Sequence, residues 1–102
     1  MPVETTPTTQ PGILTEDETD TLKRLLPPYR VILHNDDVHT FDDVARALHR
    51  VIGVSIKRGY ELADIVHNKG NAIVATCRKE QAELYRERLE SYKLTVTIEP
   101  AE

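Results

Sequence analysis

Tyr29-Arg30-Val31-Ile32-Leu33-His34-Asn35-Asp36-Asp37-Val38-His39-Thr40-Phe41 passes from an apolar run through a dense polar stretch into a helix. Tyr29 to Leu33 is apolar and rich in β-branched side chains, the pattern of a buried strand. His34 to Phe41 crowds two histidines, an asparagine and two aspartates between that strand and the helix, more chemistry than a linker requires. Beyond it, Phe41, Val44, Ala45, Leu48, Val51 and Ile52 recur at spacings of three and four, one face of a helix. Thr40 is placed to cap its free amides while Asp43 reaches back, and Asp42 and Asp43 suit the positive end of the helix dipole.

Working outward, Gly53 ends this helix and Ser55 starts a second, running to about Asn68. Its buried face is expected to use Ile56, Gly59 or Tyr60, Ala63 and Val66. Lys69-Gly70-Asn71 reads as a turn. Ala72 to Cys77 then reads as a strand covered on both faces, because its apolar run is nearly continuous. A third helix is expected from Lys79 to Tyr92, with Ala82, Tyr85, Leu89 and Tyr92 inward. Its charges at Glu83, Arg86, Glu87, Arg88 and Glu90 form a solvated face. Leu94 to Ile98 alternates cleanly, as a strand with one wet face does. The order is βααβαβ, an α+β domain in which a three-stranded sheet is covered on one side by three helices.

Upstream, residues 1 to 21 are dominated by Thr, Pro and acidic side chains, with Val3, Ile13 and Leu14 too few to offset the entropy of ordering them. Leu22 to Leu26 has the makings of one helical turn, stopped by Pro27-Pro28. The expected organisation is a disordered N-terminal extension over residues 1–27 and one folded domain over 28–102.

With 102 residues in all, the folded part is marginal in size and leaves little room for a deep, water-free active site, which favours shallow binding over catalysis. The net charge of -4 argues against nucleic acid, whose phosphates call for clustered Lys and Arg. No apolar run is long enough to span a membrane, and no leader pattern is present, so a cytoplasmic location is expected. The lone Cys77 forms no internal disulfide and agrees with a reducing compartment.

Three chemistries compete for the polar stretch. A zinc or iron site would draw on His34, Asp36, Asp37, His39 and His67, but consecutive residues on an extended segment point to alternate sides. Acid/base catalysis by Asp36 and Asp37 lacks a partner: Ser55 is a helix cap, Cys77 resembles a small strand hydrophobe, and paired Asp residues before a helix ordinarily cap and turn. Neither a metal, a cofactor nor an enzyme is expected. The third is capture of a free amino terminus. An α-ammonium group carries donors that need convergent acceptors, and Asn35, Asp37 and the distant His67 offer an amide carbonyl, a carboxylate and an imidazole nitrogen. Taken singly, His67 is better explained as a partly buried histidine near a helix end.

Between residues 28 and 99 the sequence resembles the ClpS adaptors of the N-degron pathway. The resemblance rests on Tyr29 to Leu33 running into Asn35-Asp36-Asp37, on Val66-His67 followed by Gly70 and the strand Ala72 to Val74, and on Glu80-Gln81-Ala82-Glu83 opening the third helix. The family's fold is similar to the C-terminal domain of the ribosomal stalk protein. The resemblance implies an adaptor that binds the free N-terminal residue of a substrate, typically Leu, Phe, Tyr or Trp, and hands it to the N-terminal domain of a ClpA- or ClpC-type AAA+ unfoldase for degradation by ClpP. It implies that Asn35, Asp37 and His67 hold the α-ammonium group with Asp36 in support. Phe41, Val44, Ala63, Val66 and Leu94 would wall the side-chain pocket, and Glu80 would dock the unfoldase. The N-terminal extension would be the arm engaged by the unfoldase.

After Asn-Asp-Asp the family usually reads aromatic or His, then Thr-Pro-Met, whereas this chain reads Val38-His39-Thr40-Phe41, and two pocket positions change with it. Phe41 and Ala63 stand where methionines are usual, a stiff ring for an adaptable thioether and a small side chain opposite it. The exchange roughly conserves volume, and it is expected to alter the preference among Leu, Phe, Tyr and Trp. The alternative function is a protein-interaction domain of the same fold without an amino-terminus pocket. His34 and His39 have no assigned role at this level.

Overall fold

The computed structural model describes residues 15–18, 21 and 26–101. The expected extension over 1–27 therefore falls mostly outside the described residues, as do residues 22–25 of the expected helical turn. Within it, the Thr15 amide donates to Glu18 at 2.9 Å and the Glu18 amide to the Thr15 hydroxyl at 3.1 Å.

The domain runs β1 (Tyr29–His34), α1 (Phe41–Val51), α2 (Ile56–Lys69), β2 (Asn71–Cys77), α3 (Lys79–Glu90) and β3 (Thr95–Pro100). Strand order is β2-β1-β3, with both neighbours antiparallel to β1. One face of this sheet carries Val31, Leu33, Ala72, Val74 and Val96 into the core, where Leu48, Leu62, Val66, Ala82 and Leu89 of the helices meet them. The opposite face is open. Ile73, paired with Ile32, is 50% exposed there.

Local signals set the helix starts. Thr40 caps α1 in a reciprocal capping box with Asp43, the two hydrogen bonds measuring 3.1 and 3.2 Å. Ser55 caps α2 by accepting from the Arg58 amide at 3.0 Å. Gly70 closes α2 in the left-handed region at φ 91°, where a side chain would be strained.

Four expectations are corrected. β2 is not covered on both faces: Ala72 and Val74 are buried while Ile73 is exposed. A bulge sits opposite the Val31–Ile32 step, where Val31 pairs with Ala75 and Ile32 with Ile73. The extra residue resets the alternation, so Ala75 and Cys77 also pack against the core, and a one-faced strand acquires a nearly continuous apolar sequence. On α2 the buried residues are Gly59, Leu62, Ala63 and Val66; Ile56 and Tyr60 lie outside. The reason is the close approach of α1 and α2, since a Cβ at Gly59 would meet the Ala45 carbonyl oxygen at 2.9 Å. Lys69 is still helical and Asn71 already belongs to β2, so Gly70 alone makes the corner. α3 ends at Glu90, and Tyr92 leaves its inward stripe for the Ser91–Lys93 turn, where Lys93 takes φ 70°.

Candidate functional site

β1 ends at His34, and the next residue is tied down at once: the Asn35 amide donates to the Gly70 carbonyl at 2.9 Å. This bond joins the polar loop to the last turn of α2, the turn that carries His67. From the other side, Phe41 opens α1 and its ring meets the His67 imidazole edge-on, with centroids 5.4 Å apart and planes at 65°. Loop, α1 and α2 thus converge on His67.

Asp36 is committed within the loop. Its Oδ1 accepts from the Val38 and His39 amides at 2.8 and 2.9 Å, an Asx turn that reverses the chain before α1. Its carboxylate also lies 2.9 Å from His39 Nδ1, while His39 Nε2 lies 2.9 Å from the Tyr92 carbonyl oxygen. Both ring nitrogens thus lie within hydrogen-bonding distance of an oxygen, one in the loop and one in the turn after α3. His39 is thereby a brace between the loop and the α3–β3 turn. Burial pushes the Asp36 carboxyl up, but the His39 and Val38 amides and the His39 ring together outweigh it and hold the carboxyl below the usual carboxylate range.

Asn35, Asp37 and His67 are exposed. Among the described residues none of their side chains is taken up by a hydrogen bond or ion pair, unlike Asp36. The apolar positions separate by depth. Ala63, Val66 and Leu94 are buried, Val44 is half-buried, and Phe41 is 40% exposed. Leu94 also lines a shallow groove of about 350 Å³ with His39, Arg46, Arg50 and Tyr92. Glu80 is exposed in the first turn of α3, where the helix dipole also favours it.

The other candidates for chemistry resolve into structure. His34 lies 2.8 Å from the Thr97 hydroxyl across the open sheet face. Burial pushes the Cys77 thiol up, with Arg78 opposing, and its side chain packs against the core. Among the described residues no three histidine, cysteine or acidic side chains come together to hold a metal ion, and no helix is long and apolar enough to cross a membrane. Sequence reasoning missed the roles of His39 and of Tyr60, whose hydroxyl donates to Asp42. The signals were slight: His39 stands three residues after an Asp that opens a turn, and Tyr60 shares a helix face with His67 two turns on.

Fold and loop together define a small α+β domain with a polar loop where β1 meets the end of α2. Comparison with known proteins gives the family. The family model described as "ATP-dependent Clp protease adaptor protein ClpS" matches residues 24–97. The ATP-dependent Clp protease adapter protein ClpS of Thermosynechococcus vestitus is 38% identical over 92 residues, covering 88% of this chain and 98% of that one. A chloroplastic adapter of the same description from Arabidopsis thaliana is 33% identical over 93 residues, 90% of this chain and 58% of that one. Among solved structures, Agrobacterium tumefaciens ClpS2 bound to L-phenylalaninamide superposes with a TM-score of 0.70 at 27% identity, covering 74% of this chain and 98% of that chain. The chain belongs to the ClpS family, the adaptor proteins of the ATP-dependent Clp protease.

Proposed function

We propose that this adaptor binds the free N-terminal residue of substrate proteins, with a preference for bulky hydrophobic side chains, and delivers them to a ClpA- or ClpC-type unfoldase for degradation by ClpP. The observation that carries the proposal is the meeting of Phe41 with His67 at 5.4 Å, beside a loop end anchored to the same turn of α2. An apolar ring and an exposed imidazole at one mouth suit a ligand that is apolar at one end and cationic at the other. L-Phenylalaninamide, the ligand of the related Agrobacterium protein, has that character: a free amine, an amide in place of the next peptide bond, and a benzyl side chain.

Asn35, Asp37 and His67 would accept hydrogen bonds from the α-ammonium group, while Asp36 acts through the loop it holds. Phe41, Val44, Ala63, Val66 and Leu94 would receive the side chain. Glu80 offers an exposed contact for the N-terminal domain of the unfoldase, and residues 1–27 the arm it engages. One buried large side chain contributes about 1.5 to 3 kcal/mol and each charge-assisted hydrogen bond about as much. Set against association costs of several kcal/mol, the sum corresponds to roughly micromolar binding, which suits a carrier that must release its load.

Fluorescence anisotropy with peptides differing only in their first residue tests this across all twenty amino acids. Selective binding of peptides that begin with Leu, Phe, Tyr or Trp is expected; equal binding of all twenty would exclude it.

A further inference from the structure

The first turn of α1 sets Phe41 against His67 of α2, and the next residue of that turn makes a second contact with the same helix. Asp42, the next residue, accepts a hydrogen bond from the Tyr60 hydroxyl of α2. Tyr60 follows Gly59, the point at which α2 is pressed against Ala45 of α1 so closely that a Cβ would lie 2.9 Å from the Ala45 carbonyl oxygen. The backbone under Tyr60 is therefore fixed relative to α1, and its phenol reaches Asp42 from a fixed base. On α2, Tyr60 and His67 lie seven residues and about two turns apart on one face, with Ala63 between them 3% exposed. The small Ala63 makes a notch in the side-chain profile of that face between two ring-bearing residues, and Phe41 meets the second of them, His67. Tyr60 itself is 40% exposed, so its ring is not needed to fill the core.

We infer that the Tyr60–Asp42 hydrogen bond is a clasp that positions Phe41 relative to His67 and so sets which N-terminal side chains the notch accepts. This rests on the function proposed above and extends it to residues that would not touch the ammonium group. Tyr60 and Asp42 are positioning residues. With the clasp closed, the first turn of α1 is held toward α2 and Phe41 narrows the notch. With it open, Phe41 is held only by the capping box and its own packing, and the notch tolerates a larger ring.

Four proteins test the clasp: wild type, Tyr60→Phe, Asp42→Ala and Asp42→Asn. Tyr60→Phe removes only the hydroxyl. Asp42→Ala and Asp42→Asn both remove the charge from the helix start, but the asparagine carbonyl still accepts from the phenol, which separates the clasp from the dipole effect. In the free proteins, the His67 ring resonances report the position of Phe41 without any ligand. They are expected to shift the same way in Tyr60→Phe and Asp42→Ala and to stay put in Asp42→Asn. With peptide, the ratio of affinities for N-terminal Trp over Leu is expected to rise about threefold in the first two variants, as suits the loss of one hydrogen bond, and to match wild type in the third. Unchanged His67 resonances in all variants would overturn the clasp, and shifted resonances with an unchanged ratio would overturn its part in selectivity. A wild-type protein that does not discriminate among N-terminal residues would instead remove the underlying function, and the His67 resonances would still decide whether the clasp exists.

Discussion

Asp36 is the residue on which the loop's shape depends, because its one carboxylate serves two backbone amides and the His39 ring. Replacing it with Ala is expected to cost on the order of 1 to 2 kcal/mol, the range of a lost side-chain cap, measured by urea denaturation at neutral pH. The carboxyl is held below the usual range in the fold. Its charge therefore stabilises fully above the unfolded value of about 3.9, and the contribution is lost as pH falls through the lower, folded value. The stability gap between wild type and Asp36→Asn should accordingly narrow in strong acid; a gap independent of pH would show that geometry alone matters. Asp36 also shows what sequence conveys about a single residue. Its place before a helix suggested a turn, and the Asx turn is local. Its link through His39 to Tyr92 crosses from one loop to another, and no spacing in the sequence announces it.

Elements whose form depends on neighbouring residues in the chain were legible, and those shaped by a packing partner were not. The capping box of α1 and the alternation of β3 are examples of the first kind. The second kind includes β2, where one bulged residue turned a one-faced strand into an apolar run, and α2, whose inward face was rotated by the approach at Gly59. That approach makes a prediction. Alanine is favoured over glycine inside a helix by about 1 kcal/mol, but a Cβ at 2.9 Å from a backbone oxygen forces the helices apart at about 1 to 3 kcal/mol. The clash should win, so Gly59→Ala is expected to lower the melting temperature; a raised one would mean that α1 and α2 separate freely. Thr40→Ala, which removes only the cap, should destabilise by about 1 kcal/mol in the same assay.

At the scale of the whole molecule, the residues proposed for recognition and the residue proposed for docking stand on different elements. Asn35, Asp37 and His67 lie where the β1–α1 loop meets the last turn of α2, whereas Glu80 opens α3. Glu80→Lys is thus expected to weaken capture of the adaptor by an unfoldase N-terminal domain in a pull-down while leaving peptide affinity within about twofold, the scale of an exposed charge. A parallel loss of both would place Glu80 in the peptide site. On the proposed function, separate sites would let a roughly micromolar grip on the substrate coexist with delivery, because release from one would not require release from the other. The central claim is that the protein holds a free α-ammonium group beside an apolar side chain. The measurement that tests it most directly is calorimetric titration with one Phe-initiated peptide in two forms, free and N-acetylated. The free peptide should bind with roughly micromolar affinity and the acetylated one, stripped of its charge and donors, should not bind detectably; equal binding of the two would contradict the assignment of Asn35, Asp37 and His67.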